Sequence, residues 1–244
     1  MSSSRISYMV KPVNSVAAEE ARIRAAYARR KEEDVRYSWF NPAYQFMMHQ
    51  RERKLLALLS ERGLADLHSS SILEIGCGIG LWLRDLVKWG AQPKNITGID
   101  LLWDRVSRAR RLCPAGVGIQ CASAAELPFA SEKFDLVLQS TVFTSILDQD
   151  LKRRVAAEMM RVVKPDGVII WYDYHVNNPW NKDVRGIKRR EIDELFPTCQ
   201  VAVERITLLP PVARLLAPWS FLVCYCLEKI PLLCTHYLGL IRRI

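Results

Sequence analysis

The chain has 244 residues, half of them hydrophobic, and its 35 Lys and Arg against 26 Asp and Glu give a formal net charge of +9. That length allows one α/β domain with a sizeable core and an added helical segment. The positive balance permits attraction to nucleic acid, anionic lipid or acidic substrates and compels none of them. The basic residues fall in separate groups, from Arg22–Arg36 to Arg242–Arg243, and read as solvated faces rather than one patch. Seven cysteines without metal-ligand spacing argue against a disulfide framework and for a reducing compartment. The longest uncharged run, Leu215–Leu227, has 13 residues and is interrupted by Pro218, too short to span a bilayer. With no signal-peptide pattern at the start, a cytoplasmic location is expected.

In chain order, residues 1–16 read as a flexible leader and residues 17–70 as a helical cap. The cap holds a charged helix over Ala17–Arg36, with Ile23 and Tyr27 among its sparse apolar positions. An aromatic turn, Tyr37–Tyr44, leads to a second helix over Ala43–Leu59. From residue 71 to 244 the pattern alternates. Strands are predicted at Ile72–Ile75, Ile96–Asp100, Ile119–Ala122, Leu136–Gln139, Val168–Tyr174, Val201–Leu208 and Tyr237–Ile241. Helices are predicted at Trp82–Trp89, Trp103–Cys113, Asp150–Val163, Glu191–Leu195 and Arg214–Lys229. Lys164–Gly167 forms a tight turn ahead of the fifth strand. This β-α-β rhythm implies a parallel, Rossmann-like sheet with helices on both faces.

The densest signal is Ser71–Gly80, SILEIGCGIG, followed by GIDLL at Gly98–Leu102. A strand ends in an acid and a glycine turn, and a second strand ends in Asp100, spaced to hold the ribose hydroxyls of a nucleoside ligand. A dinucleotide fingerprint would need a third glycine at position 81, where this chain has Leu81. Gly76, Gly78 and Gly80 instead follow Glu74, an acid unsuited to a pyrophosphate and well suited to a cationic methionyl end and a sulfonium. The ligand that fits is S-adenosylmethionine (SAM).

The series LEIGCGIG, GIDLL, ASAAELPF, FDLVLQSTVF and VVKPDGVIIWYDY resembles the class I SAM-dependent methyltransferases, in particular the methyltransferase type 11 group with bacterial members. The resemblance covers Ile72–Tyr174. It implies a seven-stranded, mostly parallel sheet whose last strand is antiparallel. It also implies that Glu74, Gly76 and Gly78 border the methionine end of SAM. Asp100 would hold the ribose, Leu101 and Ala124 would flank the adenine, and Gln139 and Ser140 would face the methyl group. Ser123 stands where the family usually has an aspartate for the adenine amino group.

Methyl transfer from a sulfonium is an in-line displacement that depends mainly on orientation, with a base where the acceptor needs one. Asp173 and His175, two apart on the fifth strand and therefore on one face, are the candidate catalytic pair. Asn177, Asn178, Arg185 and Lys188–Arg190 are candidate acceptor contacts, and His49 is an alternative base. No metal site is expected from four scattered histidines. Asn178-Pro179-Trp180 is a fragment of the Asn-Pro-Pro-aromatic motif of base-amino methyltransferases, but it follows the wrong strand, so nucleic acid is not expected as a partner. The expected acceptor is a small molecule or glycan, methylated on oxygen. The alternatives are N- or C-methylation of a lipid-linked or natural-product acceptor, or a non-catalytic SAM-binding partner protein. The apolar helix at Arg214–Lys229 is expected to cover a face of the sheet, with peripheral membrane contact or an acceptor pocket as the other readings. Oligomeric state is left open.

Overall fold

The computed structural model describes residues 14–30 and 34–244. The leader expected over residues 1–16 lies outside the described residues up to position 13, and Asn14 already begins the first helix. Among the described residues eight α-helices and seven strands follow one another: α1 (Asn14–Ala28), α2 (Pro42–Glu61), β1 (Ile72–Ile75), α3 (Leu81–Lys88), β2 (Ile96–Asp100), α4 (Trp103–Leu112), β3 (Gly118–Cys121) and β4 (Phe134–Ser140). Then come α5 (Gln149–Val162), β5 (Val163–Tyr174), α6 (Arg189–Leu195), β6 (Cys199–Leu208), α7 (Pro210–Leu216), α8 (Phe221–Leu227) and β7 (Cys234–Arg243).

The strands form one sheet in the order β3-β2-β1-β4-β5-β7-β6. β7 pairs antiparallel with both β5 and β6, while the other pairings are parallel. The chain steps outward from β1 to β2 and β3, then crosses to β4 on the other side of β1. That reversal opens a crevice at the carboxyl ends of β1 and β4, where ligands of such sheets lie. The four residues of β1 are all buried, as a central parallel strand covered on both faces requires.

Alternate strand residues feed two cores. On one face Leu73, Ile75, Val137, Ile169 and Trp171 pack with Ile23 of α1, Leu151, Val155 and Met159 of α5 and Phe196. On the other, Ile72, Leu136, Leu138 and Ile170 pack with Leu55 and Leu59 of α2, Trp82 and Leu86 of α3 and Val106 of α4. Gly98 of β2 lets α3 approach closely, since a Cβ there would lie 2.7 Å from Leu83 Cδ1.

Helix starts follow local capping. Asn41 accepts from the N–H groups of Ala43 and Tyr44 with Pro42 in the first turn of α2, and Asp148 accepts from Leu151 N at 2.8 Å to open α5. Three expectations are corrected. The first helix ends at Ala28, and Asp34 caps a separate 3-10 turn over Val35–Tyr37. The turn Lys164–Gly167 is looped out within β5, whose pairing with β4 jumps from Phe134–Val163 to Leu136–Val168. The helix expected over 214–229 is two short helices, because Pro218 cannot continue the first and Ser220 caps the second through Val223 N.

Trp171 is fully buried between Phe143, at 4.7 Å between ring centroids, and Phe196, at 6.1 Å. Trp171→Ala should lower the unfolding free energy by about 3–5 kcal/mol in a urea titration.

Candidate functional site

The glycine turn is built by its backbone. Gly76, Gly78 and Gly80 have φ of +70°, +55° and +77°, a region that disfavours side chains. At Gly76 a Cβ would also lie 2.5 Å from Val142 Cγ2, so the β4 loop closes directly over the turn. Cys77 N donates to Ile99 O at 2.8 Å, fastening the turn to the end of β2. Asp100 completes the join: Oδ2 accepts from Gly78 N at 2.8 Å and Oδ1 from Leu102 N at 2.9 Å.

Beside this turn lies a cavity of about 120 Å³. Its walls come from four strand ends: Ile75 and Gly76, Ile99–Leu102, Ala122–Ala125, and Ser140–Val142 with Ser145 and Ile146. The remaining side is α1, which contributes Glu20, Ile23 and Tyr27. α1 is held down by polar contacts along its length. Glu19 accepts from Leu147 N at 2.5 Å, Arg22 donates to Ser145 O at 2.6 Å, and Arg24 donates to Leu101 O at 2.5 Å. Tyr27 bonds Ser145 Oγ at 3.1 Å, and its ring sits under Arg105 at 4.3 Å. Glu20 Oε1 meets Ser123 Oγ at 2.5 Å.

Of the residues expected from sequence, Gly76, Asp100, Leu101, Ser123 and Ala124 line this one cavity together with Ser140. Gly78 and Gly80 shape the turn behind it. Glu74 does not line the cavity: it is buried on the face covered by α2–α4, and its Oε2 has no hydrogen-bond partner among the described residues. Burial drives its carboxyl well above the usual range, with Arg51 opposing and Asp100 and Asp85 reinforcing the shift. Burial raises Asp100 as well, against the two backbone N–H donors. Gln139 points to the opposite face, accepting from Val142 N at 3.2 Å, with Nε2 unpartnered.

Asp173 and His175, the candidate catalytic pair, stand away from the cavity, and they make no hydrogen bond to each other. Asp173 is fully buried and accepts from Phe143 N, Thr144 N, Thr144 Oγ1 and Tyr174 N, all within 3.3 Å. It pins the loop after β4 that walls the cavity. His175 Nε2 bonds Cys234 O at 2.9 Å, and burial lowers its pKa. The reason is strand register: Trp171, Asp173 and His175 share the α5–α6 face, beneath the loop rather than above it. His49 is exposed on α2 beside Trp39. Arg185 and Lys188 are engaged with Glu191 and with His175 O.

Glu20, Tyr27, Arg105 and Thr141 emerge only from the structure. The i, i+4 spacing of Ile23 and Tyr27 on an otherwise charged helix was the one sequence signal for the covering face. Thr141, with φ +58°, is a strained non-glycine residue at the tip of β4. Among the described residues there is no cluster of His, Cys, Asp and Glu that would hold a metal.

A strand-end crevice with a glycine turn, a ribose-type aspartate and an orphaned acid suits an adenosyl ligand with a cationic tail. Residues 72–167 match a family described as a methyltransferase domain. The chain is 34% identical over 125 residues to a 2-methyl-6-phytyl-1,4-hydroquinone methyltransferase of Synechocystis, covering 47% of this chain and 37% of that protein. It is 28% identical over 145 residues to a ubiquinone biosynthesis O-methyltransferase of Bartonella bacilliformis, covering 54% and 56%. The matched stretch thus spans about two-fifths to just over half of these relatives. A SAM-dependent methyltransferase structure from Mesorhizobium loti superposes with a TM-score of 0.57 at 19% identity, over 81% of this chain and all of that one. Residues 72–167 are thus similar to a methyltransferase domain, and the fold is shared with a SAM-dependent methyltransferase structure.

Two outcomes are expected. Asp173→Ala leaves the Phe143 and Thr144 N–H groups without an acceptor, at about 1–3 kcal/mol each in urea unfolding. His236, stacked on Tyr172 at 4.6 Å, is held by burial at a pKa of about 3 against 6.5 unperturbed. Below pH 6.5 the unfolded chain therefore takes up a proton that the folded chain refuses, and stability is lost as pH falls toward 3. Removing this penalty in His236→Gln should stabilise the variant relative to the parent by about 1.4 kcal/mol for each pH unit below 6.5, read from urea melts across pH 7.5 to 4.5.

Proposed function

We propose that this chain transfers a methyl group from SAM to oxygen on a small, largely apolar acceptor. The observation that carries the reading is the single cavity joining Gly76, Asp100 and Ser123 with the β4 loop under α1. When bound, SAM supplies an activated methyl on a sulfonium, so the protein's task is mainly orientation and exclusion of water.

The chain's residues divide that task. Asp100 keeps lone pairs for two ribose hydroxyls while its backbone bonds hold it still. Ile99, Leu101, Ala124 and Ala125 form apolar walls for a flat base. Glu20, held by Ser123, puts a carboxylate beside that base and takes over the amino-group contact that an aspartate at position 123 would make. Glu74, costly as an unpartnered buried acid, regains an ionised state beside an ammonium group. Asp173 acts as a positioning residue through the loop Thr141–Ser145. For an acceptor as acidic as a phenol, such orientation can suffice without a strong base.

An apolar acceptor is supported by the aromatic surroundings of the strand ends. Tyr174, at the end of β5, meets the His236 ring in a tilted contact, 3.7 Å between centroids. Trp39 and Tyr37 pack edge-on to Tyr44 at 5.4 and 6.0 Å. Of the two relatives named above, one is named for a phytyl hydroquinone and the other for ubiquinone biosynthesis. A glycan would need polar partners in that position.

The test is transfer of labelled methyl from SAM into host extract, separated into organic-soluble small molecules, polysaccharide, RNA and protein. Label in the organic-soluble fraction is expected. Label in polysaccharide would replace this acceptor with a glycan, and none anywhere, with SAM still bound in calorimetry, would favour a non-catalytic binding protein. Glu20→Ala should weaken S-adenosylhomocysteine binding about tenfold, and adding Ser123→Asp should restore most of it; equal affinity for all three proteins would remove Glu20 from the site.

A further inference from the structure

The segment from α7 to the turn after α8 does not cover the sheet. It packs Ala213, Ala217 and Cys224 against Ala43, Phe46, Met47 and Leu208, at the start of α2 and the end of β6. Its larger apolar side chains point outward: Trp219 is 87% exposed, Leu232 84%, Leu222 71% and Leu215 70%. The loop before α2 does the same with Phe40 at 96% and Val35 at 81%. A recess bounded by Val35, Ser38, Phe40, Asn41 and Pro42 with Arg214 and Pro218 makes the two segments one surface. Phe46 and Phe221, 5.7 Å apart between ring centroids, anchor α8 to the same place.

We propose that this surface docks the protein on an anionic lipid bilayer. Contiguous exposed apolar area of this kind is uncommon on a protein that remains in water. Its charges choose the occupant. Between Leu209 and Leu233 the charged residues are Arg214, Glu228 and Lys229. Glu228 is buried and paired with Arg53 at 2.9 Å and Lys229 at 3.6 Å, and Asp34 in the loop before α2 pairs with Arg36, so the four cations Arg36, Arg53, Arg214 and Lys229 outnumber the two acids. Positive groups rimming Trp, Tyr, Phe and Leu match a headgroup layer over acyl chains. No helix among the described residues is long and apolar enough to cross a membrane, so the contact is interfacial. Short helices bent at Pro218 hold the side chains in place before contact, which reduces the ordering cost of insertion.

The surface lies on the same edge of the sheet as the strand ends: β5 and β6 both finish against the start of β7, Tyr174 opposite His236 and Leu208 opposite Cys234. An apolar acceptor would pass from the bilayer to the strand ends without crossing water. That last step rests on the proposed function; the docking itself does not.

The experiment is co-sedimentation of the full chain with vesicles of phosphatidylcholine alone and of phosphatidylcholine with a quarter phosphatidylglycerol. Binding to the anionic vesicles, weakened by salt, is expected. The double variant Trp219→Ser, Leu222→Ser should weaken it about tenfold or more, and Arg214→Glu about fivefold or more. Unchanged S-adenosylhomocysteine affinity in calorimetry establishes that these variants are folded and that the cofactor site is intact. Absence of vesicle binding by the parent overturns the proposal, as does binding that the variants leave unchanged. Light scattering that shows a dimer dissociated by the double variant, without vesicle binding, would assign the surface to a second copy instead.

Discussion

Backbone N–H groups that emerge at the carboxyl ends of parallel strands must find acceptors, and in this protein buried carboxylates provide them. Asp100 holds Gly78 and Leu102, so the turn after β1 and the exit from β2 are one rigid unit. Asp173 holds Phe143, Thr144 and Tyr174, so the exits from β4 and β5 are another. The cavity is the gap between these two units. Both acids bear the cost of burial, Asp173 rising to a pKa of about 7, which is tolerable because each is surrounded by donors.

The third wall is of a different kind. α1 closes over the cavity through side-chain contacts, among them Glu19 and Arg22 to the β4 loop, Arg24 to Leu101 and Glu20 to Ser123. Partly exposed polar contacts of this sort are individually weak. A helix secured by several of them can open locally at far lower cost than a strand of the sheet. A rigid floor with a separable lid is suited to a ligand that must enter, be enclosed and leave as product.

The acids of the two sides are not interchangeable. Glu74 is enclosed with an unpartnered oxygen on the α2–α4 face, whereas Glu20 comes from the lid and is bonded across the cavity to Ser123. In the proposed function the first would stand toward the ligand's cation, and the second, present only when α1 is in place, would couple recognition of the base to closure. The exposed α7–α8 surface extends the same division of labour to the outside of the molecule. Its small residues secure it to α2, and its large ones remain available to a partner.

Sequence was sufficient where chemistry is local in the chain. The glycine turn, Asp100 at the end of β2 and the parallel β-α-β order follow from short apolar runs, turn residues and fixed spacings, while the antiparallel final strand is implied by the family resemblance. Gly76 and Asp100 could be named because they lie at strand ends that a parallel sheet brings together, and Leu101, Ser123 and Ala124 through the family resemblance. What only the tertiary structure decided concerns contacts between distant segments. Asp173 and His175 share a strand face, but which side of the β4 loop that face meets is set by packing, and it meets the underside. Glu20 reaches Ser123 across 103 positions of chain, a pairing without a local signature. The run Arg214–Lys229 is apolar whether buried or not, and composition is blind to the difference. Burial belongs to the neighbours an element finds, and those neighbours are fixed by the fold as a whole.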